Sequence, residues 1–275
     1  MVRGKSVQQN IQEKADWMSL PIDERKNSNI INIKSDKEKL NIVTMGDEHI
    51  GSNHYDEDIH KQNIDWCYEN DAYVILMGDT METATRDSVG AGIFEQDEMV
   101  QEQLEKAERL YKPLADKKLL LGNHIGNHEA RVYNHSGANL SKILAKLLGI
   151  KYLGVGAISN IKVGKNSYTM YTTHGHSGSR LPHTKIKSVL DLANMIDVDI
   201  YCMGHLHALD HHVRNMYSFD KKNKGIKEVQ KHFVLTGSYL SHWGGYAHVR
   251  GLEPAIKGSP KIKLSGLERR IRISL

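Results

Sequence analysis

The stretch "LNIVTMGDEHIG", Leu40 to Gly51, is a short β-branched apolar run that stops at Gly-Asp. A run of this length bounded by turn residues predicts a buried strand opening into a loop. The pattern returns at "YVILMGD", Tyr73 to Asp79, and between the two "DEDIHKQNIDWCYEN" puts Ile59, Asn63, Ile64 and Cys67 near one side of a helix. Strand, helix, strand is therefore the unit. Next, "FEQDEMVQEQLEKAERLYKPL" spaces Val100, Leu104, Ala107, Tyr111 and Leu114 by four, three, four and three, an amphipathic helix expected to end near Pro113. A third apolar run, "KLLLGNHIGN", follows it. Repeated βα units predict a sheet that is parallel at least in part, with helices on its faces.

The second half changes character. "ANLSKILAKLLG" puts Leu140, Ile143, Leu144, Leu147 and Leu148 on one face and closes on Gly149, a helix with its stop. "AISNIKVGKNSYTMYTTHGH" reads as two strands around Gly164-Lys165-Asn166, a hairpin. The helix "KIKSVLDLANMI" and the strand "DIYCMGHLH" resume the alternation. After Ala208 come strands and turns: "HHVRNMYSF", "DKKNKG", "EVQKHFVLTGSYL" and finally "RRIRISL". Residues 1–30 are polar with little periodicity and read as an N-terminal arm, leaving 31–275 as one domain with a basic, β-rich C-terminal portion.

Composition limits the function classes. With 275 residues, 39% hydrophobic and 25% charged, the chain can bury one substantial core. No apolar run approaches the roughly 20 residues that span a bilayer, and "MVRGKSVQQN" leads into no apolar signal-peptide core, so a cytoplasmic protein with no membrane partner is expected. Cys67 and Cys202 sit in a helix and a strand pattern, which predicts buried reduced thiols and no redox chemistry. The net charge of +4 conceals an asymmetry: residues 221–275 hold 12 Lys and Arg against 3 Asp and Glu, an excess of +9, so residues 1–220 carry −5. Such a bias is either a solvated surface or a footprint for a polyanion.

Chemistry-bearing residues close the apolar runs. Asp47 and His49, Asp79, the Gly-Asn-His stretch, His174, and His205 with His207 all stand at strand ends. In open α/β sheets sites form beyond the carboxyl ends of strands, where distant segments converge. One Asp-x-His is commonplace, but five such ends in one chain are not. Carboxylate, amide and imidazole together suit two divalent ions, manganese first, with iron, zinc or nickel admitted, and there is no thiolate to favour structural zinc. An Asp shared between ions about 3.5 to 4 Å apart gives the spacing used for in-line displacement at phosphorus, and a bridging hydroxide formed near neutral pH is the nucleophile.

The series "GDEH", "GDTME", "GNHE", "THGH" and "GHLH" in that order resembles the calcineurin-like metallophosphoesterase family over residues 40–240. The resemblance implies an α/β fold, a four-layer αββα sandwich of two mixed sheets with flanking helices and a dimetal site at the C-terminal strand ends. It implies one metal on Asp47, His49, Asp79 and His207 and another on Asp79, Asn127, His174 and His205, with Asp79 bridging. His128 matches the position that gives a proton to the leaving oxygen or steadies the transition state, with Glu82 beside it. Glu82 departs from the family pattern by one methylene where Asp or Asn is usual. The Asp-Arg-Gly of the protein phosphatase branch is missing from "GDTMETATRDS", which disfavours a Ser/Thr phosphatase. "DEHIG" resembles the double-strand-break repair nuclease branch, and the length and tail resemble phosphoesterases encoded by phages.

Within "LLLGNHIGNHEAR", Leu119 to Arg131, Gly-Asn-His occurs twice. The second copy runs into Glu129-Ala130-Arg131, where an acidic residue favours a helix N-terminus; the first runs into Ile125-Gly126, poor material for starting a helix. Asn127 and His128 are thus the expected site residues, and Asn123 and His124 strand residues below it. Arg131, Arg86 and His176, with Arg180 and His183, are candidates for holding phosphate oxygens. "GSYLSHWGGYAHVRG" is a candidate rim, whose Tyr239 and Trp243 either stack on bases or pack into the core. Lys221, Lys222, Lys224 and Lys227 would contact a phosphate backbone if they form a turn beside the site. The expected activity is phosphodiester hydrolysis, with DNA or RNA among the substrates. Phosphomonoester hydrolysis is the alternative, and a non-catalytic scaffold is disfavoured because all seven ligand positions are filled. A homo-oligomer is compatible with all three.

Overall fold

The computed structural model describes residues 29–85, 88, 92–176, 181–220 and 223–275. In chain order the elements are β1 (Asn29–Ser35), β2 (Lys39–Met45), α1 (Glu57–Glu69), β3 (Tyr73–Leu76), α2 (Val100–Asp116), β4 (Leu120–His124), α3 (Asn127–Ser136) and α4 (Leu140–Leu148). Then follow β5 (Lys151–Gly154), β6 (Gly156–Val163), β7 (Asn166–Thr173), α5 (Pro182–Leu190), β8 (Ile200–Met203), β9 (Leu209–Asp220), β10 (Gly225–Thr236), α6 (Tyr246–Val249), β11 (Lys261–Ser265) and β12 (Ile271–Ser274). They form two six-stranded sheets, ordered β12-β11-β2-β3-β4-β5 and β1-β6-β7-β8-β10-β9. Both are mixed: β2 to β5 run parallel with β11 and β12 antiparallel at one edge, while β7, β8 and β10 run parallel between antiparallel neighbours.

Side-chain alternation builds the layers. Leu40, Ile42, Ile75 and Met77 of the first sheet meet Met170, Ile200, Cys202 and Val234 of the second between the sheets. Their neighbours Val43, Met45, Val74 and Leu76 point outward onto Ile64 and Cys67 of α1, Tyr111 and Leu114 of α2, and Leu144 and Leu148 of α4. On the far side Tyr201, Met203, Phe233 and Leu235 pack under Val189 of α5. A period of two on each central strand, apolar on both faces, gives the four-layer αββα sandwich. Both cysteines are buried and free, and among the described residues no helix is long and apolar enough to cross a membrane.

Three local expectations are corrected. Helix α2 runs through Pro113 to Asp116, because the missing proline N–H falls near its C-terminal end while Leu114 is fully buried and holds the last turn in the core. Asn29 and Ile30, placed in the polar arm, begin β1, whose Ile31 and Ile33 are buried. Strand β11, unmarked by the sequence, joins β12 to β2. Residues 1–28, the rest of the arm, lie outside the described residues.

Candidate metal centre

The carboxyl ends of β2, β3, β4, β7 and β8 open on one edge of the sandwich. Beyond β2 and β3 the two loops stay paired: Asp47 N donates to Gly78 O at 3.0 Å, His49 N to Asp79 O at 3.0 Å and Ile50 N to Thr80 O at 2.9 Å. Nine non-glycine residues of the described chain have positive φ, and five of them are Asp47, His49, Asp79, His205 and His207, at 46 to 67°. The left-handed region costs such residues of order 1 to 3 kcal/mol each, so the surrounding pairing must impose it. Gly126 is there for a different reason. A Cβ on it would lie 2.0 Å from Asp79 Oδ1 and 2.1 Å from Asp79 N, so only glycine lets α3 approach this loop.

Three groups of ligand-type atoms result among the described residues. Asp47, His49 and His207 form the first, Asp79, His174 and His205 the second, and His49 recurs with Glu82 and His128 in a third, the ligand atoms within each lying within 4.8 Å of one another. In the first, His207 Nε2 is 3.1 Å from His49 Nε2 and 3.4 Å from Asp47 Oδ1. His49 Nδ1 donates to Glu82 Oε2 at 2.9 Å, which turns its Nε2 lone pair toward His207. In the second, His174 Nδ1 donates to Met77 O at 2.9 Å, leaving Nε2 at 3.3 Å from Asp79 Oδ2 and 3.1 Å from Asn127 Oδ1. Nδ1 of His205 is buried with no hydrogen-bond partner. Imidazole nitrogens turned toward one another, two fully buried aspartates and an orphaned ring nitrogen are a donor set that could hold divalent metal ions.

The electrostatics are consistent with that donor set. Burial alone would raise Asp47 and Asp79, yet His207 beside Asp47 and His174 and His128 beside Asp79 hold both below the usual carboxylate range, Asp79 far below. Burial would depress His49 and His174, but Glu82 around His49 and Asp79 around His174 lift each to about 9. Without cations the site keeps protons where a metal would sit. His205 and His128 go the other way, to about 3 and about 4. In both burial is the main cause, joined by the His174 charge at His205 and the Arg131 charge at His128.

His128 lies in the first turn of α3, and its backbone N–H donates to Asp79 Oδ1 at 2.8 Å. Its Nδ1 donates to the Glu82 carbonyl at 2.6 Å, so Nε2, 3.9 Å from Asp79 Oδ2, faces the site. Glu82 does more than pair with His128. Its carboxylate stands 2.9 Å from His49 and 3.4 Å from His128, holding the two rings edge to face at 4.4 Å, and the extra methylene is what lets it reach both.

The structure brings together all seven candidate ligands with His128 and Glu82, Asn127 through its contact with His174. Arg131 joins them at the margin: Nη1 donates to Ser88 Oγ at 2.8 Å, and its charge is felt by His128 and Glu82. His176 and His183 are exposed. Arg86, Arg180, Lys221 and Lys222 lie outside the described residues. Lys224 and Lys227 stand at the tip of the β9–β10 hairpin. Its other end, Leu209 opposite Thr236, adjoins His207, so at about 3.3 Å per residue the basic turn is about 35 Å from the centre. Other C-terminal cations are spent elsewhere, Lys231 on Asp197, Lys257 on Asp56 and Arg269 on Asp199. The two aromatics divide: Tyr239 is fully buried, while Trp243 is 81% exposed and stacks on His248 at 4.3 Å.

Two buried acids have roles beside the site that the sequence reading did not assign. Glu129 accepts from the backbone N–H groups of Asp79, Met81 and Gly126 at 3.2, 3.0 and 3.0 Å, clamping the β3 loop to the start of α3. Its place three residues after Gly126, the helix N-cap, is the signal that could have revealed this clamp. Glu48, between two candidate ligands, accepts from Tyr111 Oη at 2.8 Å, and burial pushes it up to about 8. Nothing in the spacing of the sequence marks Glu48.

No family model matches the chain, and no curated protein matches it. Among solved structures it is similar to a conserved protein of Streptococcus pneumoniae described as a predicted phosphoesterase, at 13% identity over 86% of this chain and 90% of that one, TM-score 0.38. It is also similar to Vps29 of Entamoeba histolytica solved with zinc, at 14% identity over 86% and 97%, TM-score 0.36. A third is GAP50, the anchor in the inner membrane complex of Plasmodium, at 10% identity over 86% and 84%, TM-score 0.40. Likeness of this size carries nothing about chemistry, which rests on the side-chain geometry.

Proposed function

We propose that the chain hydrolyses phosphoesters, diesters first, at a centre of two divalent cations. Asp47, His49, Asp79 and His207 would hold one, and Asp79, Asn127, His174 and His205 the other. The observation that carries this reading is the convergence of two Asp/His groups at strand ends, each with two buried members and one partly buried, five of the six in left-handed backbone. When bound, such a pair supplies Lewis acidity and a water that ionises near neutral pH. The chain's own residues do the rest. Neutral His128 keeps its Nδ1 proton on the Glu82 carbonyl and presents a lone pair at Nε2. An entering phosphate adds negative charge, which favours protonation of Nε2, and that proton passes to the leaving oxygen. Arg131 stands where it can meet a phosphate oxygen.

A monoester substrate is the second reading, favoured by one observation: the basic turn that suggested a polymeric substrate is about 35 Å from the centre. Hydrolysis of bis-p-nitrophenyl phosphate, p-nitrophenyl phosphate and linear DNA in one buffer with Mn separates the readings. Asp79→Asn should abolish turnover and release metal; an active variant with full metal content would overturn the ligand assignment. Because His49 and His174 are lifted to about 9 without metal, uptake should expel about two protons per pair of ions and tighten as pH rises toward 9. Calorimetry in buffers of different ionisation enthalpy reads that number without reference to activity.

A further inference from the structure

Exposed large apolar side chains concentrate on the β9–β10 hairpin. Val213, Met216, Tyr217 and Phe219 on β9 and Ile226 on β10 are all exposed, Tyr217 by 78% and Ile226 by 80%. Phe219 sits directly opposite Ile226 in the ladder. Strand β9 is also the outermost of its sheet, and among the described residues no strand pairs with its outer edge. Folded proteins protect such edges with short strands, lysines, prolines or bulges. This one is 12 residues long, without lysine or proline, and its ladder to β10 runs without a register shift. Between Val213 and Phe219 its one charged side chain is Arg214.

We propose that β9 pairs antiparallel with β9 of a second copy about a two-fold axis beside Met216, joining two six-stranded sheets into one of twelve. The register follows from the side chains. Val213 then faces Phe219 of the partner subunit, Asn215 faces the partner's Tyr217, Met216 faces the partner's Met216, and His212 faces the partner's Asp220. The apolar residues of one face, Val213, Tyr217 and Phe219, with Ile226 beside them, continue into their counterparts across the axis. An axis one residue earlier sets Asp210 against Asp220 of the partner subunit, like charges directly opposed. An axis one residue later opposes Phe219 to Asn215 of the partner subunit and loses the apolar match. A strand with this self-complementarity makes an isologous, closed contact, so the assembly stops at two. The two metal centres would lie at opposite ends of the joined strands, about 60 Å apart at 3.3 Å per residue, both accessible.

Sedimentation velocity on the full chain at tens of micromolar should show one species at twice the chain mass. Met216→Lys sets two ammonium groups against each other at the axis and should shift the protein to the chain mass, with circular dichroism and ester turnover unchanged and a melting temperature that no longer rises with protein concentration. Met216→Cys should form a disulfide-linked dimer under mild oxidation, because the paired Cα atoms would lie about 4.5 to 5.5 Å apart and both native thiols are buried. Tyr217→Cys should not. A wild-type chain that sediments as a monomer overturns the proposal, and so does cross-linking at 217 in place of 216.

Discussion

Gly122-Asn123-His124 and Gly126-Asn127-His128 are the same tripeptide four residues apart, and the fold uses them in opposite ways. In the first, both imidazole nitrogens of His124 are spent inside the protein, on Gly154 O at 3.0 Å and Thr172 Oγ1 at 2.9 Å, a tie between the two sheets. Asn123 is buried and donates to Ser141 O at 2.8 Å. In the second, His128 spends one nitrogen on Glu82 and turns the other to the site, while Asn127 places its carbonyl oxygen against His174. The glycines differ likewise: a Cβ on Gly122 would press on Lys151 O and Leu153 of the neighbouring strand, one on Gly126 on Asp79 itself. Residue identity alone does not make a site. A strand position surrounded by backbone closes a histidine's valences; a helix N-terminus at a loop leaves one open.

The contrast breaks most sharply in kinetics. His128→Ala should lower turnover by about 10² to 10⁴, the usual contribution of a general acid or base, with metal content and melting temperature close to wild type. A variant that keeps full activity would return the second copy to a structural role. His124→Ala should do the reverse. It leaves a cavity and orphans a buried carbonyl and hydroxyl, which should cost about 2 to 4 kcal/mol in urea unfolding while the folded fraction turns over normally. If turnover falls more than stability, the first copy belongs to the chemistry.

Much of this was legible because the site sits where periodicity ends. Each apolar run stops at the residue that bears chemistry, so locating strands located Asp47, Asp79, His174 and His205. The helix-start argument from Glu129 also anticipated that the second Gly-Asn-His begins a helix while the first stays in a strand. What stayed hidden depends on pairing across distance. Strand β11 lies beside β2 only because Ile262 and Leu264 complete the inter-sheet core, a partnership with no local signature. The condition set on the basic turn, that it lie beside the site, is unmet for the same reason: charge counts report how many cations follow residue 220 but not that a 12-residue strand carries Lys224 and Lys227 away from the centre. Glu82 was found, yet its grip on His49 was not, since reach across the site depends on where two loops are held.

The smallest expected effect tests how completely His124 is sealed. Burial is the main cause that lowers it to about 4, against about 6.5 in the unfolded chain. Between those values the unfolded chain binds a proton that the native chain refuses. The stability gained by keeping the ring neutral is therefore full above about pH 6.5 and is lost as pH falls toward 4. Other buried histidines add slopes of their own, so the informative quantity is the difference between wild type and His124→Ala. That difference should shrink by at most about 1.4 kcal/mol per pH unit inside the window and stay constant above it. Paired urea titrations at pH 8, 7, 6 and 5 read it directly. A difference that does not change with pH would mean His124 takes up its proton as freely folded as unfolded, and the first copy would then be as open to solvent as the second.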